Sequence, residues 1–345
     1  MTDLSVVIIT KNQVWNVDRL VGSVLRELED VPAAEVLLVD SGSDDGTPER
    51  AAEHAIGVLR LLPDQPLTAA LGRYLGVRET TGELVLFLDG DMELCPGWLD
   101  RALRTMGERP DVAAVAGTVV DVPVDTPGTT GHWPEEVVDA WRRAPVPREI
   151  TNTGGAALHR RSVLEATGSF HPSLRSEEEP ELCLRIRDAG HRVLHLDTPI
   201  ALHYSTPART VATLLARRRR RLYEGMGQVM RHHVGTPLGR TYLRERGYGV
   251  VPGLGLVAGA GALATGIGAR RWWPLALWAT ALSTTVGVHA ARRRSVGDGM
   301  FSLVQRACIV EGTVRGFVTE PALPEAHPAR FEVVQRIPVD VPSQR

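Results

Sequence analysis

Several kinds of residue are scarce in this chain of 345 residues, and each shortage excludes something. Lysine occurs once, at Lys11, so arginine supplies the rest of the 39 basic residues, an imbalance that we attribute to codon usage. The three cysteines, Cys95, Cys183 and Cys308, are far apart, which argues against a disulfide framework or a cysteine-rich zinc site and favours a reducing compartment. The net charge of -2 gives no support for nucleic acid as a partner.

The beginning of the sequence lacks a basic stretch followed by an apolar one. We therefore expect no secretory signal peptide and a catalytic part in the cytoplasm. The length is sufficient to bury a sizeable core, in one large domain or two smaller ones.

The most informative stretch is an apolar run, Leu84 to Leu88, that ends abruptly in Asp89-Gly90-Asp91. A run without polar alternation predicts a strand buried on both faces, as in the middle of a parallel sheet. Ligands of such sheets bind beyond the carboxyl ends of the strands, where Asp89 and Asp91 fall. Two adjacent carboxylates repel each other unless a cation lies between them, and oxygen ligands suit Mg²⁺ or Mn²⁺ carrying substrate phosphates. A loop with two solvated acids is the alternative interpretation.

Strand and helix patterns alternate through the N-terminal half of the chain. The predicted strands are 4–10, 35–39, 57–61, 84–88 and 112–122, and the predicted helices are 14–28, 67–79 and 98–106. This alternation predicts an α/β fold with a mainly parallel sheet and helices on both faces.

Asp40 ends the second predicted strand and precedes a turn, 41–48, that is dense in Gly, Ser and Asp. Its strand end converges on the same sheet edge as Asp89 and Asp91. A buried carboxylate there can accept hydrogen bonds from a nucleobase N–H or from ribose hydroxyls. A turn-forming or helix-capping aspartate is the alternative.

Three segments together, 5–12, 39–47 and 82–91, resemble in order and spacing the family 2 glycosyltransferases of the GT-A fold, a Rossmann-like arrangement. The resemblance implies an enzyme that uses a nucleotide-sugar donor and Mn²⁺ or Mg²⁺. It implies that the nucleotide site is lined by Thr10, Asn12 and Asp40, that Asp89 faces the ribose and the metal, and that Asp91 ligates the metal. The helix with an Arg-Asn pair near the donor in this family reads Arg73-Tyr74 here, so only Arg73 is carried over as a donor-binding residue.

An acidic run, 176–181, comes later in the chain. By itself it indicates a helix N-terminus whose acids complement the helix dipole. It also resembles the family's Glu-Asp-x-Asp-Leu-x-x-Arg segment, which implies that Glu179 is the general base and Glu178 the fallback, with inversion in a single displacement. Crowding of like charges favours a raised pKa for one of these acids.

His203 follows the last predicted strand of this domain. In the family a histidine at this place often joins the Asp-x-Asp aspartate at the metal, so the resemblance implies a third metal ligand. A purely structural histidine is the alternative.

The C-terminal third contains five consecutive arginines, 217–221, and two charge-free stretches, 247–269 and 272–291. The arginines fit a solvated helix face, a clamp for the donor diphosphate or a patch for anionic lipid headgroups. Each charge-free stretch is about long enough to span a hydrocarbon core of ~30 Å, which predicts a transmembrane helical hairpin with both ends in the cytoplasm. A helical hairpin packed on the catalytic domain is the alternative.

The predicted organisation has four parts: a GT-A domain (1–210), a basic helical neck (211–246), the hairpin (247–291) and a partly disordered C-terminal segment (292–345). We expect a protein of the cytoplasmic membrane, its catalytic domain on the cytoplasmic side, that glycosylates a lipid-linked or cell-envelope glycan acceptor. A non-catalytic membrane scaffold remains an alternative. A sugar-phosphate nucleotidyltransferase would require a Gly-rich N-terminal loop, which Ile9-Thr10-Lys11-Asn12 does not provide.

Overall fold

A computed structural model describes most of the chain, namely residues 3–124, 133, 135–143, 146–205, 210–247, 250–293, 296–319 and 329–338. The chain forms two compact units. The first, here called the sheet unit, consists of residues 1–207 and 322–345, and the second, the helical unit, of residues 208–321.

Four parallel strands build the N-terminal half of the sheet unit: β1 (Leu4–Thr10), β2 (Ala34–Asp40), β3 (Gly57–Leu61) and β4 (Leu84–Asp89). They lie in the order β3-β2-β1-β4, and every residue of β1 is buried. The helices α1 (Val17–Glu27), α2 (Thr47–Ala51) and α3 (Ala69–Arg78) follow β1, β2 and β3 along the chain. Each of these strands was predicted, because an uninterrupted apolar run is the sequence pattern of a strand buried on both faces.

The register of these strands determines which side chains meet. Thr10 pairs with Asp40, and Ile9 pairs with Asp89. The carboxyl ends of β1, β2 and β4 therefore lie side by side at one edge of the sheet, as the sequence predicted.

The second half of the sheet is mixed in direction. The helices α4 (Trp98–Glu108), α5 (Glu135–Trp141), α6 (Arg161–Ala166) and α7 (Glu178–Asp188) alternate with β5 (Met92–Leu94), β6 (Val112–Pro123), β7 (Arg148–Glu149), β8 (Ala157–Arg160) and β9 (Arg192–Ser205). β8 runs antiparallel to β4 and β6, whereas β6 and β9 are parallel to each other. The predicted parallel sheet thus describes the N-terminal half, and the sheet as a whole is mixed.

Alternate residues of β1 enter two separate hydrophobic clusters. Val6 and Ile8 pack with residues of α1 and α4, while Val7 and Ile9 pack with residues of α3 and α7. Because successive side chains of a strand point to opposite faces, this division places helices on both faces of the sheet, as predicted.

A strand near the C-terminus, β10 (Phe331–Gln335), completes the sheet unit by pairing antiparallel with β3. A partly disordered segment was predicted here. A five-residue strand that depends on a partner some 270 residues earlier in the chain leaves little local signal, because its hydrogen bonds are all long-range.

The helical unit consists, in its described part, of α8 (Val211–Arg219), α9 (Gly225–His232), α10 (Pro237–Arg246), α11 (Val250–Ala269), α12 (Trp273–Arg293) and α13 (Val296–Val318). The helices α11 and α12 pack against each other, and the indole Nε1 of Trp278 donates a hydrogen bond to the carbonyl oxygen of Gly255 at 2.8 Å. The predicted helical hairpin is therefore present.

The prediction that this hairpin spans a membrane is not supported. Within the described residues, no helix combines the length and the apolar character that crossing a bilayer requires. The prediction rested on the absence of charged residues, and an uncharged segment is not necessarily hydrophobic enough to cross a bilayer. Glycine and alanine make up 11 of the 20 residues of α11, and their small side chains bury little apolar surface.

Candidate active site

The first part of the site lies where β1 and β2 end. Asp40 is completely buried, and its Oδ1 accepts a hydrogen bond from the Thr10 hydroxyl at 3.3 Å. The backbone N–H of Ser43 donates to Asp40 Oδ2 at 2.8 Å, and the Ser43 hydroxyl donates to Oδ1. Asp40 therefore fixes the Gly- and Ser-rich turn that follows it, and the carboxylate is held in a single orientation.

Asn12 joins this turn to the loop after β1. Its φ of 55° is in the left-handed region, which asparagine tolerates better than most residues. Its backbone N–H donates to the Ser43 hydroxyl at 2.7 Å, and its Oδ1 accepts from the Asp44 backbone N–H at 3.1 Å. Two of the loops predicted to line the nucleotide site are thus tied together through Asn12.

Asn16, which is fully buried, anchors the backbone of the Asp89-Gly90-Asp91 turn. The amide nitrogen of Asn16 donates to the carbonyl oxygens of Gly90 at 2.9 Å and of Met92 at 2.8 Å. Asn16 was not predicted from the sequence. A buried amide whose two N–H groups hold the turn explains why a polar residue is buried at the start of this amphipathic helix.

His203 lies beside Asp91, as the resemblance implied. Its Nε2 is 3.3 Å from Asp91 Oδ2, and its Nδ1 is 2.6 Å from Asp121 Oδ1. The Asp91 hydrogen bond raises the pKa of His203 to about 9, with burial opposing and Asp121 adding to the increase. Asp121 was not predicted, since its position opposite His203 arises only from the pairing of β6 with β9.

These side chains suit a divalent metal ion. Asp91 Oδ2 and His203 Nε2 face each other, and a carboxylate together with an imidazole suits Mn²⁺ better than Mg²⁺. Asp121 on the far nitrogen of His203 is the outer carboxylate that typically orients a metal-binding histidine. The donor set present therefore fits a metal ion bound by Asp91 and His203.

Arg73 is the centre of a second group of charges. It is 2% exposed, and its Nη2 lies 2.7 Å from Asp89 Oδ1 and 3.1 Å from Glu179 Oε1. Its Nη1 lies 2.8 Å from Glu178 Oε1. Asp89 is thus turned toward Arg73, whereas Asp91 is turned toward His203. The ion pairs join the turn after β4 to the beginning of α7.

Burial and charge act on the pKa values of this group in opposite directions. Burial raises the pKa of Asp89, and the nearby Arg73 lowers it again only in part. Burial, followed by the charge of Glu179, likewise raises the pKa of Glu178. Burial alone would lower the pKa of Arg73, but the three carboxylates together raise it. The predicted crowding effect therefore falls on Glu178.

Glu178 and Glu179 differ in how well they can be reached. The side chain of Glu178 is 8% exposed and that of Glu179 is 17% exposed. Glu179 is therefore the more accessible of the two acids proposed as a base, and Glu178 is the more enclosed partner of Arg73.

A glycine leaves room for this arrangement. A Cβ at position 155 would collide with the Asp89 carboxylate and would come within 3.1 Å of Arg73 Nη2. Gly155 lies in the small-residue stretch before β8, and its contact with Asp89 depends on the antiparallel pairing of β8 with β4. This contact was not predicted from the sequence.

All nine predicted site residues thus lie in the sheet unit, and hydrogen bonds or ion pairs connect them in three groups. The first group is Thr10, Asn12 and Asp40, the second is Asp91 and His203, and the third is Arg73, Asp89, Glu178 and Glu179.

Comparison with known proteins agrees with the fold and the motifs. Residues 5–168 match the family described as Glycosyl transferase family 2. Glycosyltransferase AglE of Haloferax volcanii is 27% identical over 236 residues, which cover 66% of this chain and 73% of that protein. The O-antigen biosynthesis protein RfbC of Myxococcus xanthus is 30% identical over 213 residues, 55% of this chain but only 16% of that protein.

A solved structure has the same fold. The mannosyltransferase PcManGT from Pyrobaculum calidifontis, in complex with GDP-Man and Mn²⁺, superimposes with a TM-score of 0.54 at 20% identity, covering 91% of this chain and 87% of that one. The matched family segment contains Thr10, Asp40 and Asp89 within the parallel strands described above. Residues 5–168 of this chain therefore form a glycosyl transferase family 2 domain.

Proposed function

We propose that the sheet unit transfers a sugar, with inversion, from a nucleotide-sugar donor to a hydroxyl group of a lipid-linked or cell-envelope glycan. The observation that carries the proposal is the Arg73 ion-pair group, which joins Asp89 on the nucleotide side to Glu178 and Glu179 on the other. A donor phosphate and an acceptor hydroxyl bound on either side would meet across this group.

The nucleotide would lie against the ends of β1 and β2, with Asp40 accepting hydrogen bonds from the base or the ribose. The PcManGT structure, which contains GDP-Man, supports a nucleotide-sugar as the ligand class. The Thr10 and Ser43 hydrogen bonds keep the Asp40 carboxylate oriented before the ligand arrives.

In the proposed reaction, Glu179 takes the proton of the acceptor hydroxyl. The hydroxyl oxygen forms a bond to the anomeric carbon while the bond from that carbon to the diphosphate oxygen breaks. Arg73, which contacts both Glu178 and Glu179, keeps Glu179 in place.

Asp91 and His203 would hold a divalent cation, with Mn²⁺ favoured by the imidazole ligand. When bound, such an ion supplies positive charge to the leaving nucleoside diphosphate. Asp121 would keep the ring of His203 oriented toward that ion.

We further propose that the domain faces the cytoplasm. All three cysteines are free and buried, as in a protein kept in a reducing compartment.

The test is release of nucleoside diphosphate from a panel of UDP- and GDP-sugars with Mn²⁺, comparing wild type, Asp91→Asn and His203→Gln. We expect release from one donor, with at least about a hundredfold loss in the Asp91 variant. Glu83→Gln, on an exposed acid outside the site, serves as the matched control. A wild-type chain that releases no diphosphate from any donor, with glycan and lipid acceptors supplied, would instead support the scaffold alternative.

A further inference from the structure

The α11–α12 hairpin of the helical unit has an unusual surface. Its internal packing uses a narrow line on α11, where Trp278 lies over Gly259 and Trp272 lies over Gly266. A side chain at either glycine would collide with the indole ring. Two tryptophan rings packed against glycines therefore hold the two helices of the hairpin together. The rest of the hairpin surface takes no part in this contact.

That remaining surface is apolar. Leu254, Val257, Ile267, Trp273 and Leu277 are each between 63% and 70% exposed. Isolated exposed aliphatic residues are normal on a protein, but five large apolar side chains exposed on one hairpin indicate a surface that is covered in use.

Two hydroxyl groups of the hairpin form hydrogen bonds within their own helices. The hydroxyl of Thr265 donates to the Gly261 carbonyl oxygen at 2.8 Å, and that of Thr280 donates to the Ala276 carbonyl oxygen at 2.9 Å. Because these two hydroxyls already have hydrogen-bond partners, burial in a hydrocarbon phase would leave neither of them unsatisfied.

Charge and aromatic residues are concentrated at the tip of the hairpin. From residue 247 to residue 291 the sequence has no acidic residue, and Arg270 and Arg271 are its only charged residues. Both are exposed, and Trp272 and Trp273 follow them directly, 54% and 67% exposed. Arginine beside tryptophan is typical of the headgroup region of a bilayer, where an indole ring is stable between apolar and aqueous phases.

Other helices of the helical unit pack against the hairpin as a second layer. α13 packs on both α11 and α12, and it also contacts α8 and α9. The ion pair between Arg218 of α8 and Glu311 of α13 lies in this second layer. The unit therefore has an apolar layer and a charged layer, which is the amphipathic pattern of a structure that lies on a membrane surface.

We propose that the α11–α12 hairpin docks on the surface of an anionic lipid bilayer. Its exposed Leu, Val and Ile side chains enter the acyl boundary, Trp273 lies at headgroup depth, and Arg270 and Arg271 contact lipid phosphates. This inference is independent of the sugar-transfer chemistry.

The test is flotation of the full-length chain with vesicles of phosphatidylcholine alone and of phosphatidylcholine mixed with phosphatidylglycerol. We expect the chain to float with both and more strongly with the anionic vesicles. Trp273→Ser combined with Leu277→Ser should weaken partitioning at least about tenfold. Arg270→Gln combined with Arg271→Gln should remove the preference for anionic lipid and leave the remaining binding unchanged.

Val146→Ser is the matched control, because it removes an equally exposed aliphatic side chain from the sheet unit. Circular dichroism and diphosphate release establish that each variant is folded. Absence of flotation with both kinds of vesicle would overturn the proposal. A second result would also overturn it: a chain that does not float but self-associates, as detected by light scattering, with the self-association abolished by the Trp273 and Leu277 substitutions. A second copy of the chain would then cover the hairpin.

Discussion

Arg73 is the single residue on which the geometry of the site depends most. Its planar guanidinium contacts three carboxylates from two elements of the fold, an arrangement that the compact ammonium group of lysine cannot reproduce. Breaking a buried ion pair leaves uncompensated charge in the interior.

We predict that Arg73→Lys lowers the free energy of unfolding by about 3–5 kcal/mol and kcat by at least about a hundredfold. Urea denaturation and the diphosphate-release assay measure the two effects. Arg78→Lys, an exposed position on the same helix, should change both little. An Arg73→Lys enzyme with wild-type kcat would show that the ion-pair group does not organise the reaction.

His159 makes the sheet unit sensitive to acid. Its ring lies edge-on to Phe87 and Phe170, and burial, with a smaller contribution from Arg73, lowers its pKa to about 3 from an ordinary 6.5. As the pH falls below 6.5, the unfolded chain binds a proton at this residue and the folded chain does not. Folding is therefore destabilised progressively from pH 6.5 down to about 3.

We predict that this residue contributes a slope of about 1.4 kcal/mol per pH unit to the free energy of unfolding between those values. His159→Phe retains an aromatic ring and should remove that contribution. Unfolding by urea at several pH values measures it. Identical slopes for the wild type and the variant would contradict the prediction.

At the scale of elements, β10 closes the edge of the sheet next to β3. The amide nitrogen of Gln335 donates to the carbonyl oxygens of His54 and Ile56, each at 2.7 Å. On the same side, the Gln65 side chain accepts a hydrogen bond from the Arg330 backbone N–H at 3.0 Å and donates one to the Arg330 carbonyl oxygen. The edge that an isolated β3 would expose is thus covered.

We predict that Gln335→Ala lowers the free energy of unfolding by about 1–3 kcal/mol, because two carbonyl groups lose their partner. Hydrogen exchange of the β3 backbone amides should become faster, while exchange in β1 stays unchanged. Unaltered exchange in β3 would mean that this side chain does not retain the strand.

Some features of the fold could be predicted from the sequence and others could not. The strands β1 to β4 were predictable because their apolar runs carry the signal locally, and the ends of those strands located Asp40, Asp89 and Asp91. Asn16, Asp121 and Gly155 were not, since each acts on a residue that only the tertiary fold places beside it. His203 and Glu179 came from the resemblance to the family; the structure places His203 beside Asp91 and Glu179 beside Arg73.

At the scale of the whole molecule, the family match covers only part of the candidate site. The family match ends at residue 168, so it includes Asp89 and Asp91 but neither Glu179 nor His203. The assignment of the base therefore rests on the Arg73 ion pairs and on the greater exposure of Glu179 compared with Glu178.

The central claim is that Glu179 removes the acceptor proton while Glu178 only positions Arg73. The most direct measurement is acceptor-dependent diphosphate release by Glu179→Gln and Glu178→Gln, each with the donor KM determined. We predict that Glu179→Gln loses about 10²- to 10⁴-fold in kcat with the donor KM unchanged, and that Glu178→Gln loses less. A Glu179→Gln enzyme with wild-type kcat beside an inactive Glu178→Gln enzyme would contradict the account and assign the base to Glu178.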